Sequence, residues 1–452
     1  MAPSPQRHDR KGGLSKAPDN TSDASRSNIG SGGTDGIRGG HAGPSKDGPK
    51  EDASLVKELL RQPSDGSEAV DAAVVEAANT VFGTKVPRRV KWMIAIALVA
   101  VFLISFMMGK FSMNPLEIAQ TLWYSITNAF SNVLYGLSLL LGQVDSGLAQ
   151  SLQEGARALA AVGDTEAIDK MTTVLYNIRS PRILVVMLVG AALSVAGASY
   201  QGMFKNPLTS PDLLGASAGA SLGACVALLL NQGGVMVQIA AFVGGMAAVG
   251  MAVWLNRFVD YDPTLGLVLA GILVSTLFSS GMSLVKFMAD ANDKLPTITF
   301  WLMGSFAAIN QADLLRCLFP MALGFVILWS QSWKLNVLAF GDEEARAMGV
   351  NTSRTRLLVI FASTLITSVS VAVAGVVGWV GLVIPHLARA IVGPNYKVLI
   401  PVSMFVGAVY LLIVDDIARM LIAVEIPIGI LTAIMGVPFF VFIFKRNMKG
   451  WR

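Results

Sequence analysis

The chain has 452 residues, of which 53% are apolar and only 14% are charged, against about 25% charged residues in ordinary soluble domains. With a mean hydropathy of +0.58, this composition excludes an ordinary soluble domain and describes a polytopic membrane protein. The net charge of +5 reads as basic residues held on the cytoplasmic face rather than as affinity for nucleic acid.

In chain order, residues 1–54 are rich in Gly, Ser, Pro, Asp and Lys. They hold almost nothing to bury, which predicts disorder, and the whole of 1–90 is expected to be a polar cytoplasmic tail. No secretory signal peptide is visible, because the first apolar run starts only at Trp92. Within the tail, SLVKELLRQ (54–62) and EAVDAAVVEAANTVFG (68–83) either form short amphipathic helices or stay solvated.

A membrane span needs about 20 apolar residues, fewer where protein shields the helix. The sequence offers ten candidates: 92–108, 182–203, 212–230, 236–256, 264–288, 314–331, 355–376, 379–392, 398–421 and 427–444. The run 379–392 is too short to cross alone and predicts a broken helix packed within protein. Orientation follows from Lys and Arg. KVPRRVK (85–91) stays inside. Alternation then puts Lys205, Arg257, Lys334, Arg346, Arg354, Arg356, Arg389, Lys397 and the KRNMKGWR tail on that same side. Both termini are thus expected in the cytoplasm, with 447–452 a short tail. Arg179, Arg182, Lys286, Arg316 and Arg419 are the exceptions on the outer side.

Residues 110–180 then form a long outer loop. Its apolar piece AFSNVLYGLSLLLG is short and predicts an interfacial or lid-like helix, not a span. Gly215, Gly219 and Gly223, four apart, predict a smooth helix groove that a second helix can approach closely. Cys225 and Cys317 lie far apart in apolar runs and are expected to be small core residues, with no disulfide framework or zinc spacing.

Several chemistries are missing. The only Gly-Lys pair, Gly109-Lys110, is followed by Phe111, so there is no phosphate loop. His386 is the only histidine outside the tail, and no His, Cys and acid cluster has metal-ligand spacing. No nucleophile elbow is present. No cofactor, metal or catalytic residue is therefore expected. Asp415 and Asp416 in LLIVDDIARML sit inside an apolar helix, where each carboxylate costs roughly 2.5–3.5 kcal/mol on insertion scales. Arg419 lies one turn on, at the spacing of a helix-internal ion pair. A proton- or sodium-coupling site is the other reading of the two aspartates.

Between the sixth and seventh spans lies VLAFGDEEARAMGVNTSRTR (337–356). Gly341-Asp342 suits a helix start with Asp342 as N-cap. Glu343 and Glu344 suit the positive end of the dipole, and Gly349 is a good stop. Two turns of helix are marginal in water. They need a surface, either their own membrane domain or a partner's groove.

Four stretches, YQGMFKNPLTSPDLLGASAGASLGA (200–224), LAFGDEEARAMGV (338–350), GWVGLVIPHLARAIVGPNYKVLIP (378–401) and VEIPIGILTAIMGVPFFVFIFKR (424–446), strongly resemble the FecCD-type permeases. These are the membrane subunits of ATP-binding-cassette importers for iron–siderophores, haem and cobalamin. The resemblance implies an all-α permease domain over 91–446 in the cell membrane. It implies a second permease copy, identical or similar, two ATPase subunits inside, and an extracytoplasmic substrate-binding protein outside. The chain itself would be no enzyme, since ATP is hydrolysed on the partner. The cargo would be a metal chelate. Gly341, Asp342, Glu343, Glu344, Ala345 and Gly349 match the segment that couples to the ATPase. Arg179, Arg182 and Arg419 match outer-rim positions onto which binding-protein glutamates dock, a task suited to the planar guanidinium fork. Thr264 and Leu265 fall at the cytoplasmic constriction, where Leu265 departs from the family's hydroxyl pair. Asn206 and Pro207 match a structural turn. The tail before Trp92 and the stretch 125–172 exceed the family core. An ion-coupled secondary transporter using Asp415 and Asp416, and a non-transporting membrane scaffold, are the competing readings.

Overall fold

The computed structural model describes residues 88–109, 114–141, 150–155, 157, 170–259, 263–422 and 424–448. All lie in one compact unit, Ser64–Arg452. The expected tail helices at 54–62 and 68–83 and the tail 449–452 lie outside the described residues, as does Lys110.

Helix after helix follows from long apolar runs punctuated by Gly, Pro and Asn. In chain order they are α1 (Arg88–Met107), α2 (Pro115–Leu141), α3 (Ser180–Met203), α4 (Ala216–Leu229), α5 (Gly234–Leu255), α6 (Pro263–Met288), α7 (Lys294–Met303) and α8 (Gln311–Ser330). Then come α9 (Ser332–Leu338), α10 (Asp342–Ala347), α11 (Thr352–Ala374), α12 (Val380–Val392), α13 (Tyr396–Met420) and α14 (Ile428–Met448). Among the described residues, six helices are long and apolar enough to cross a membrane, and shorter apolar helices occupy 92–107, 216–229, 380–392 and 428–441. The fold is thus the all-α, multi-pass bundle expected, with a correspondence at each of the ten apolar runs. The short run forms α12, whose 13 residues reach only about 20 Å at 1.5 Å per residue. Trp379, in the left-handed region at φ 67°, breaks the chain between α11 and α12.

The core is built around α3, which is buried along almost its whole length and packs against α13, α11, α12, α8 and α1. Its small residues explain why. A Cβ at Gly190 would collide with the Gly407 carbonyl of α13, and one at Gly197 with the Gly381 carbonyl of α12. Backbone meets backbone there, giving the close van der Waals packing and short interaxial distance that membrane helices use in place of a hydrophobic drive. α3 and α13 run antiparallel in one register. Arg182 lies opposite Asp415, and eight residues further along each helix Gly190 lies opposite Gly407.

The glycine groove on α4 is real and filled. Cβ atoms at Gly219 and Gly223 would strike the Gly244 and Ala240 carbonyls of α5. Gly215 falls outside it, because its φ of 87° places it before α4 as the cap of a short 3-10 turn, Pro211–Leu214. Cys225 and Cys317 are buried free thiols. In the outer loop the helix α2 is longer than the apolar piece suggested. It starts at Pro115, where Glu117 accepts the Asn114 amide at 2.8 Å. Leu116, Trp123, Ile126, Phe130, Val133 and Leu137 stand exposed along it.

Candidate functional site: an outer-rim charge cluster and an inner surface helix

Two clusters of ion pairs lie at the two ends of α3. At the end carrying Arg179 and Arg182, the chain enters α3 through a π-helical turn, Val174–Arg179, such as often appears at functional positions. Arg182 is held on both edges of its guanidinium. Nε and Nη2 donate to Asp415 at 3.1 and 2.8 Å, and Nη1 and Nη2 donate to Glu425 at 3.0 and 2.9 Å. Arg419 sits 3.2 Å from Asp415 Oδ2 and also pairs with Asp416. Ser105 of α1 donates to Asp416 at 2.7 Å, and accepts from Arg419 at 2.9 Å. Arg179 donates to the Phe106 carbonyl, and Arg419 to the Met108 carbonyl at 3.2 Å. The cluster therefore ties α1, α3, α13 and the connection before α14 together.

Burial is what the sequence could not supply. Arg179, Arg182 and Arg419 are only 5%, 7% and 7% exposed. Three guanidiniums gather here with three carboxylates, Asp415, Asp416 and Glu425, of which Arg182 and Arg419 make the ion pairs, so the formal charges cancel. Asp415 and Asp416 form the ion pair with Arg419 that their spacing suggested, but Arg182 joins it from 233 residues away and brings in Glu425, which lies 243 residues from Arg182. They lie toward the last turns of α13, at the rim.

At the opposite end of α3 lies α10. Ala345 is its buried residue, while Glu343, Glu344, Arg346 and Ala347 are exposed. Val350 beyond it is also buried. The short helix therefore lies by one edge on its own membrane domain and presents the other edge outward. Asp342 is not its N-cap, as expected from sequence. That place belongs to Gly341, at φ 145°, and Asp342 opens the helix with its carboxylate turned to Arg356 at 2.8 Å and Lys205 at 3.5 Å. Gly349 at φ 78° ends the segment, as expected. Beside it, Asn336 donates to Asn395 at 2.9 Å and accepts the Tyr396 amide at 2.8 Å, which joins α9 to the start of α13. Asn206 accepts the Leu208 amide at 2.9 Å, closing the turn with Pro207.

Thr264 and Leu265 open α6. Leu265 is half exposed, and it begins an unburied apolar face that continues through Leu269, Leu273, Leu277 and Leu284. These residues are not brought to either charge cluster. At the outer side a cavity of about 300 Å³ lies between α5, α7, α8 and α11, with Gln238, Trp301, Ser305 and Asp313 in its wall. Asp313 is satisfied by Gln238 at 2.8 Å, Arg316 at 3.2 Å and the Asn310 amide at 3.0 Å. Among the described residues no group of three His, Cys, Asp or Glu could hold a metal ion.

A glycine-packed bundle of many spans, with a polar helix displayed at one end and a closed charge cluster at the other, defines a multi-pass membrane transport protein. Residues 96–446 match the FecCD transport family, and the chain belongs to that family. It is the permease subunit of an ATP-binding-cassette importer. Among its relatives, the molybdate import system permease protein MolB of Haemophilus influenzae is 38% identical over 331 residues, 72% of this chain and 98% of the relative. The hemin transport system permease protein HmuU of Yersinia pestis is 34% identical over 310 residues, 66% of this chain and 92% of the relative. A solved structure of a metal-chelate type ABC transporter, in an inward-facing conformation, superposes with TM-score 0.65 at 33% identity. It covers 80% of this chain and all of that one.

Sequence reasoning missed Ser105, Lys205, Arg356 and Glu425. Lys205 and Arg356 had a signal in their inward placement. Ser105 and Glu425 had none, since their partners are remote in sequence.

Proposed function

We propose that the chain imports an iron chelate, haem or cobalamin as one of two permease copies, powered by two separate ATPase subunits that grip α10 and supplied by an extracytoplasmic binding protein. The observation that carries this reading is α10 itself: six residues of helix, too short to stand alone in water, pinned by Ala345 and showing Glu343, Glu344 and Arg346 outward. A helix so placed is a handle for another protein. Thr264 and Leu265 act as the inner constriction only when a second copy covers the apolar face of α6. Docking of the binding protein takes place over the outer rim. Arg179, Arg182 and Arg419 support that rim from beneath, because their guanidiniums already hold the chain's own acids and carbonyls.

The same pairing argues against an ion-coupled mechanism. Asp415 and Asp416 are each occupied by an arginine, which leaves neither carboxylate open to a coupling proton or sodium ion. Molybdate is a second cargo reading, favoured by the 38% identity to the molybdate permease. The test is uptake by the full complex in proteoliposomes, with labelled ferric siderophore, haem, cobalamin and molybdate offered in turn. ATP-dependent accumulation of one of the first three is expected. Accumulation of molybdate alone would replace the chelate reading, and uptake driven by an ion gradient without ATP would end both.

A further inference from the structure

The inner charge cluster ties the remote end of α3 to the consecutive helices α10 and α11. Asp342 opens α10, Arg356 stands in the first turns of α11, and Lys205 follows the last turn of α3. Arg356 Nη2 reaches both carboxylate oxygens of Asp342, at 2.9 and 2.8 Å, while Lys205 Nζ lies 3.5 Å from it. The Arg356 side chain is 10% exposed and that of Lys205 40%, so the arginine contact is the better shielded from salt. Lys205 is held in place. Its φ of 51° is left-handed, its amide bonds the Gly202 carbonyl at 3.3 Å, and the Asn206 turn follows.

α10 is otherwise held by little. It has one buried side chain, and its N-cap is a glycine, which has no side chain to cap the helix. A handle seated only on Ala345 and on Met348 and Val350 just beyond it has no polar tie at its first turn. A handle whose first carboxylate is fastened to α3 and α11 cannot swivel without dragging both. Those two helices are the deeply buried ones, and α3 runs from Met203, two residues before Lys205, to the Arg182 cluster at the outer rim, about 36 Å for its 24 residues.

We propose that Arg356, acting through Asp342 together with Lys205, is a positioning residue that locks the coupling helix to α3 and α11, so that motion of α10 becomes displacement of the bundle. This rests on the reading that α10 meets the ATPase. Without the lock, ATP would be spent on rotating α10 in place.

The test uses the full complex in proteoliposomes and reads three quantities: ATPase recruitment, ATP turnover, and cargo moved per ATP. Arg356→Gln is expected to recruit and turn over within about twofold of wild type while cargo per ATP falls at least fivefold. Arg356→Lys, which keeps the charge, is expected to recover at least half of the wild-type ratio. Lys205→Gln, at the exposed end of the cluster, serves as a second variant if Arg356→Gln fails to fold, with at least a twofold loss expected. An unchanged ratio in the folded variant, or an Arg356→Lys protein as poor as Arg356→Gln, overturns the lock. A wild-type chain that recruits no ATPase overturns the coupling reading itself.

Discussion

Arg182 is a buried cation serving two carboxylates at once. Removing such a charge leaves its partners stranded in a low-dielectric environment, which costs about 3–5 kcal/mol when a buried pair is broken. Arg182→Met is therefore expected to destabilise the folded chain by about that amount, read as a lower unfolding midpoint in detergent or lipid. Glu425 has a quarter of its side chain exposed, so Glu425→Gln is expected to cost about 1 kcal/mol or less, as at partly exposed pairs. Equal losses would mean that burial does not set the strength of the cluster. At this scale the sequence was legible only over short range. The three- and four-residue steps from Asp416 and Asp415 to Arg419 announced an ion pair, because a helix brings those positions together whatever surrounds it. Nothing local announced that Arg182 would close on Asp415 and on Glu425 at once. The N-cap at Asp342 was misread for a related reason. Gly341 takes a backbone conformation open to glycine, and the carboxylate is drawn to two cations instead of to its own helix.

The helices were the most legible feature. Apolar runs of 20 or so residues leave the backbone no other way to satisfy its polar groups in lipid, so each run became a helix near its expected limits. Ends were less legible. Gly215 looked like part of a helical stripe and is a turn. The loop helix α2 begins well before its apolar segment, since Pro115 and Glu117 form a start signal upstream. For α10, the composition left open which surface it would use, and the structure sets Ala345 against the membrane domain and leaves the other edge exposed. Deleting 343–348 is expected to abolish uptake while leaving the unfolding midpoint of the bundle within a few degrees of wild type, because only Ala345 of that stretch is buried. Retained uptake in the deletion would exclude a coupling role for the helix.

As a whole, the molecule is a conduit with charge clusters at both ends and α3 between them. Its acids at the rim are neutralised internally, and the outward edge of α10 is exposed. Reconstituted alone in sealed vesicles, it is expected to accumulate no cargo under any imposed proton or sodium gradient. Addition of ATPase, ATP and binding protein is expected to start uptake. Accumulation by the lone chain would contradict this division of labour. The substrate itself was not legible in the sequence. The described cavity walls are apolar with a few satisfied polar groups, and such walls carry no signature of one chelate over another.

Where α7, α11 and α14 come together, the ends of three helices bond main chain to main chain. The Ser305 amide donates to Ala374 at 2.9 Å, and the Ile428 amide to Gly304 at 3.0 Å. Gly304, Gly375 and Gly429 leave no room for a Cβ between them. Ile428 is sealed in this junction at 1% exposure. Its proton has access neither to lipid nor to bulk solvent, so in deuterated buffer it will be among the last of the amides outside the intrahelical ladders to trade hydrogen for deuterium.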